Sequence, residues 1–193
     1  PYLSRGLGDV YKRQDPECLA DLRAGLCTTA MDFAYLTDHP AHAAEQEFID
    51  LLHLEEGDTT VEEAGSVIAK RQDCGDGHSV LWMPGIEDVL MPVGLSRHAG
   101  STAEESDTIY NTATAEALAA ERDAGALVMM AHTEGKTRDE LQALQDAELT
   151  GVEIFNLHAM FDPTIRSEDL GLDSLGWLKD IAPFLSLIHI SEP

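Results

Sequence analysis

The stretch ALVMMAHTE at 126–134 decides how the rest of the chain reads. Its six apolar residues in succession, Ala126 to Ala131, predict a central strand of a parallel sheet, buried on both faces, because a strand with one covered face alternates apolar and polar positions. His132 follows at once. A side chain able to bind a metal or a proton therefore stands at the carboxyl end of an interior strand, where α/β folds build their sites. The same order recurs. MDFAYL at 31–36 runs into Thr37, Asp38 and His39; SVLWM at 79–83 runs into Pro84, Gly85, Ile86 and Glu87; GVEIF at 151–155 runs into Asn156, Leu157 and His158. Side chains at successive carboxyl ends of parallel strands converge on one rim.

Helical patterns between these runs give the alternation of an α/β domain with a largely parallel sheet. Residues 17–26 can form a short helix, and Ala44, Phe48, Leu51 and Leu52 share one face of a helix beginning near Ala43. Thr60 and Glu63 have capping-box spacing, which predicts a further helix over 60–71. DCGDG at 73–77 is a turn, 89–95 is extended, 101–124 is one long helix ending at Gly125, and 137–149 is another.

The chain has 193 residues with 12 basic and 36 acidic side chains, a formal net charge of −24. Such a surface repels a phosphate backbone, so nucleic acid is excluded as a charge-driven partner unless metal ions intervene. The carboxylates are spread along the chain, as in a solvated surface. No apolar run approaches the ~20 residues of a membrane-spanning helix, so no membrane partner is expected. Cys18, Cys27 and Cys74 include no C-x-x-C pair and are too few for a disulfide framework. Free buried thiols are expected, with a Cys18–Cys27 bridge as the alternative in an exported chain.

The two ends share a relationship that protein chemistry does not explain. LSLIHISEP at 185–193 can be encoded CTG TCT CTT ATA CAC ATC TCC GAG CCC, and the reverse complement of that string encodes GLGDVYKRQ, residues 6–14. One DNA adaptor joined to both ends of a fragment gives this relationship. Residues 1–14 and 185–193 are therefore expected to be adaptor-derived, and 15–184 to be a partial domain from the interior of a longer gene, a metagenomic fragment. Without the terminal segments nine basic and 34 acidic residues remain, a net charge of −25. The compartment stays open, cytoplasm first and export as the alternative, because the natural N-terminus is expected to be missing.

YLTDH, MPGIE, the His98 eleven residues after Glu87, MMAHTE and GVEIFN together resemble, in order and spacing, the internal motifs of the polymerase-and-histidinol-phosphatase (PHP) domain family. The resemblance covers most of 31–156. It implies an α/β fold, an incomplete distorted (β/α)7 TIM-like barrel, with two or three divalent metal ions in the complete site. It implies His39, Glu87, His98 and His132 as metal ligands, Glu87 as the bridge between ions, and Asp38 as an auxiliary catalytic residue beside them. Imidazole and carboxylate donors suit Zn2+ or Mn2+, and also Fe2+. His158, past a strand end, is a further catalytic candidate near the substrate, with a structural role as its alternative. The family's first His-x-His and last Asp-x-His motifs do not occur in 15–184 and are expected beyond it; Thr133 stands where the family has proline.

The implied function is a metal-dependent phosphoesterase that hydrolyses a small phosphate mono- or diester with a metal-activated water, the fragment itself having little activity. Coordination lowers the pKa of a bound water from about 15.7 to about 7. The same cations would draw an anionic ester to an acidic protein. The alternatives are a non-catalytic metal-binding PHP-like module and a metal-dependent hydrolase of C–N or carboxylic ester bonds. Against the ligand roles stand plainer ones: strand-end core histidines at 39 and 132, a turn carboxylate at Glu87, and a surface loop around His98.

Overall fold

The computed structural model describes residues 16–131, 133, 136–153, 162–169, 171–173 and 176. Helix α1 (Pro16–Thr28) precedes strand β1 (Phe33–Asp38), a single helical turn α2 (Pro40–Ala43) and a 3₁₀ turn (Phe48–Leu52). Strands β2 (Thr59–Glu63), β3 (Ser66–Asp73), β4 (Ser79–Ile86) and β5 (Leu90–Val93) follow in succession. Helices α3 (Ala103–Tyr110) and α4 (Ala115–Asp123), strand β6 (Leu127–Met130), helix α5 (Arg138–Asp146) and strand β7 (Gly151–Val152) come next, with a π-helical turn at Ile165–Asp169.

The strands form one seven-stranded sheet in the order β2-β3-β4-β5-β6-β7, with β1 beside β4. Only β1–β4 and β6–β7 are parallel; the other four pairings are antiparallel. This open, mostly antiparallel sheet overturns the (β/α)7 barrel expected from the sequence. The decisive segment is 59–73. The Thr60 to Glu63 spacing suggested a helix cap, but the segment is a hairpin, Glu63 facing Ser66 across the two-residue turn Ala64-Gly65. Both turn residues have positive φ, 50° and 84°, as a tight turn matched to strand twist requires. The β-branched Thr59, Thr60, Val61, Val67 and Ile68 favour the extended chain.

Strand β4 is shared between three neighbours. β3 pairs with its first half, from Asp73↔Ser79 to Lys70↔Trp82, and β5 meets it at Gly85, while β1 runs parallel along the opposite edge over 81–86. Gly85 is where the three chains crowd: a Cβ there would lie 2.9 Å from the Pro92 carbonyl oxygen and 3.0 Å from the Thr37 methyl carbon. The absence of a Cβ at Gly85 lets β1 and β5 flank β4 so closely.

The core lies on one face of the sheet, where Ile86, Leu90, Val128 and Met130 pack with Leu118, Tyr110 and Leu144 of the helices. On the other face Phe33 and Leu127 are 52% and 54% exposed. The strand in ALVMMA is therefore covered on one side only, Val128 and Met130 inward and Leu127 outward, rather than on both. The long helix expected over 101–124 breaks at 111–114, because the Thr114 side chain accepts the Ala117 N–H and starts α4 afresh. The helix expected from Ala43 onward is reduced to α2 and the 3₁₀ turn.

Cys27 and Cys74 form a disulfide with their Cα atoms 5.6 Å apart, joining α1 to the β3–β4 turn. That overturns the expected free thiols at Cys27 and Cys74 and the alternative Cys18–Cys27 bridge; the Cys18 side chain lies outside the described residues. No described helix is long and apolar enough to cross a membrane.

Candidate functional site

The candidate residues of β1 and β4 meet because the two strands run parallel and in register, Asp38 opposite Ile86. The next residue on each chain, His39 and Glu87, therefore leaves the sheet at the same end. The Glu87 N–H donates to the Asp38 carbonyl at 3.0 Å, continuing the ladder one step beyond the strands. His39 Nδ1 lies 3.2 Å from the Glu87 carbonyl oxygen. A carbonyl can only accept, so Nδ1 carries a proton, and in the neutral ring Nε2 is then the nitrogen with the lone pair. The Thr37 hydroxyl donates to Glu87 Oε2 at 3.4 Å, and Asp38 Oδ1 accepts the His39 N–H at 2.7 Å. Thr37, Asp38, His39 and Glu87 thus form one hydrogen-bonded cluster, all half-buried.

His98 is held differently. Its Nε2–H donates to the Gln46 carbonyl at 2.9 Å, and its Nδ1 accepts from the Tyr110 hydroxyl at 3.3 Å. Tyr110 in turn accepts the Ala99 N–H at 3.1 Å. Burial, with a smaller contribution from the Glu121 charge, pushes the Tyr110 hydroxyl up to about 12, so it stays a donor at any physiological pH. The edge of Phe48 meets the His98 ring at 5.6 Å between centroids. Both ring nitrogens are engaged by the protein. His98 becomes a ligand only by exchanging one of these bonds for a metal.

His132 and His158 lie outside the described residues. Among the described residues no group of three or more His, Cys, Asp or Glu side chains is placed to hold a metal ion. Of the four ligands that the resemblance implies, His39 and Glu87 are the two that the structure brings together, the His39 ring against the Glu87 backbone carbonyl and the Glu87 carboxylate against Thr37. Motif spacing assigned no role to Tyr110 or Gln46, which fix His98, because they lie on other elements. Thr37, in contrast, sits inside the YLTDH motif, and its β-strand alternation with Asp38 was the available signal.

No family model matches the chain, no curated protein matches it, and no solved structure matches it.

Proposed function

We propose that this chain is the core of a metal-dependent hydrolase acting on a small phosphate mono- or diester. The observation that carries the proposal is the His39 Nδ1 contact to the Glu87 carbonyl at paired parallel strand ends. Ligating histidines are characteristically oriented by donating the other ring N–H to a carbonyl or carboxylate. Zn2+, Mn2+ or Fe2+ suits this mixed imidazole and carboxylate pair. A divalent ion held there would supply a water of lowered pKa and positive charge for the phosphoryl oxygens. The chain's own residues do the rest. Thr37 steadies the Glu87 carboxylate, Asp38 fixes the His39 backbone and offers a carboxylate to orient water, and the parallel ladder sets the separation of the two donors. The PHP resemblance supports His132 as a further ligand and His158 as a substrate-side group.

The engaged nitrogens of His98 favour the second reading, a metal-binding module without catalysis. The 193-residue chain is assayed with p-nitrophenyl phosphate and bis(p-nitrophenyl) phosphate in Zn2+ or Mn2+, beside His39→Ala and Glu87→Gln. We expect slow metal-dependent release above the free-metal rate, lowered at least ~10-fold in either variant, in keeping with the loss of a metal ligand or its support. Release unchanged in both variants refutes the assignment, and bound metal without release selects the module. Cleavage of p-nitrophenyl acetate or an anilide in place of the phosphates points to the C–N or carboxylic ester alternative.

A further inference from the structure

Glu121 belongs to no part of the candidate site, yet it is the least accommodated group in the described structure. It shares the core-facing side of α4 with Ala117 and Leu118 and is wholly buried. Among the described residues neither of its carboxyl oxygens has a hydrogen-bond partner. Among the described residues no cation is paired with it. A carboxylate stripped of water and unpaired is strongly disfavoured, so the group takes up a proton instead.

Its surroundings pair it with no charge: Arg97, on the loop packed against the end of α4, donates to the Asp123 and His98 carbonyls instead. From the turn between β4 and β5, Asp88 contributes a like charge. From α3 comes the buried Tyr110 hydroxyl, a neutral neighbour whose own proton the Glu121 charge helps to retain; Asp107 on that helix is half-buried, and Glu104 and Glu105 are exposed. Strands β5 (LMPV) and β6 (LVMM), against which α4 packs, carry no titratable side chain. The charged residues of α5 are exposed to solvent. Burial first, and Asp88 second, push the Glu121 carboxyl up to about 8.

We propose that Glu121 is a proton-operated latch for helix α4: protonated, it lets the helix lie on β5 and β6, and ionised, it forces its buried face apart from the sheet. The folded state holds a proton that the unfolded chain releases, so the latch is fully closed below the ordinary carboxyl value of 4.5 and opens as pH rises through about 8. Over that window the ratio of folded to unfolded chain falls by about three orders of magnitude from this group, and above it the loss levels off.

The test is a carbon-13 titration of the Glu121 side-chain carboxyl in the 193-residue chain, assigned by through-bond correlation to its backbone. Melting temperatures of the parent, Glu121→Gln and Glu121→Met between pH 5 and pH 9 accompany it. The expected result is a titration midpoint near 8, and a melting temperature that drops with pH in the parent more steeply than in either variant. A midpoint in the ordinary carboxyl range overturns the proposal. So do parallel pH profiles for the parent and whichever variant folds; if neither folds, the titration alone decides.

Discussion

Asp58 holds two cations at once. Arg23 donates to both of its oxygens, at 2.9 and 2.7 Å, Lys70 Nζ lies 3.0 Å from Oδ2, and the Glu55 N–H donates to the same oxygen at 3.1 Å. Lys70 is wholly buried, its ammonium 4.3 Å from the centre of the Trp82 ring and donating to the His53 carbonyl. Burial alone would raise the Asp58 carboxyl, but the hydrogen bonds from Arg23 and Lys70 override it and hold it down at about 2. Its stabilising contribution is therefore present above the ordinary carboxyl value and lost as pH falls through about 2. Asp58→Ala leaves Lys70 buried without its counter-ion, and urea denaturation at neutral pH is expected to show a loss of about 3–5 kcal/mol. A loss under ~1 kcal/mol, the range of exposed pairs, would show that the cluster is not buried as described. Arg23 and Asp58 lie 35 positions apart, so no local pattern announces their pairing. Thr37, Asp38 and His39 are legible in sequence for the opposite reason: they are consecutive, and their chemistry is written at one strand end.

Among the elements, β1, β6 and α5 lie close to the limits expected from the sequence, because each is a short apolar run or carries its own cap, while β4 starts as expected at Ser79 and runs on through Pro84 and Gly85 to Ile86. The Thr137–Glu140 capping box is formed in full on α5. At Thr60–Glu63 the same spacing means nothing, since the chain from Thr59 to Asp73 folds back at Ala64-Gly65. Spacing alone could not separate these cases; the β-branched content and the Gly65 turn could. The disulfide was out of reach for another reason, its cysteines lying 47 positions apart on a helix and a hairpin end. Closing a loop of that length restricts the unfolded chain, and Cys27→Ser with Cys74→Ser is expected to lower unfolding free energy by about 2–4 kcal/mol. The same double variant should expose α1 to limited proteolysis before the sheet is cut. Equal stability with and without the bridge would mean that the Arg23–Asp58 clamp alone fixes α1.

For the molecule as a unit, the mixture of strands and helices was legible, and the antiparallel pairings of β3 and β5 with β4 were not. Apolar runs report burial, while parallel or antiparallel pairing depends on what connects them: within the long connection from β1 to its parallel neighbour β4, the chain at 59–73 forms a hairpin that joins the sheet as antiparallel strands instead of a helix that covers it. The outcome is an open sheet with helices on one face and two parallel pairs, of which β1–β4 lies where the motif residues His39 and Glu87 leave the strands. On that pair rests the central claim, that His39 and Glu87 are metal ligands. Equilibrium dialysis of Zn2+ against the 193-residue chain and its His39→Ala/Glu87→Gln double variant tests it most directly, with circular dichroism showing that both are folded. The account predicts that the parent retains bound zinc and that the folded double variant binds at least ~10-fold more weakly, as loss of ligands or their support does. Equal zinc affinity and stoichiometry in the two folded proteins would contradict it.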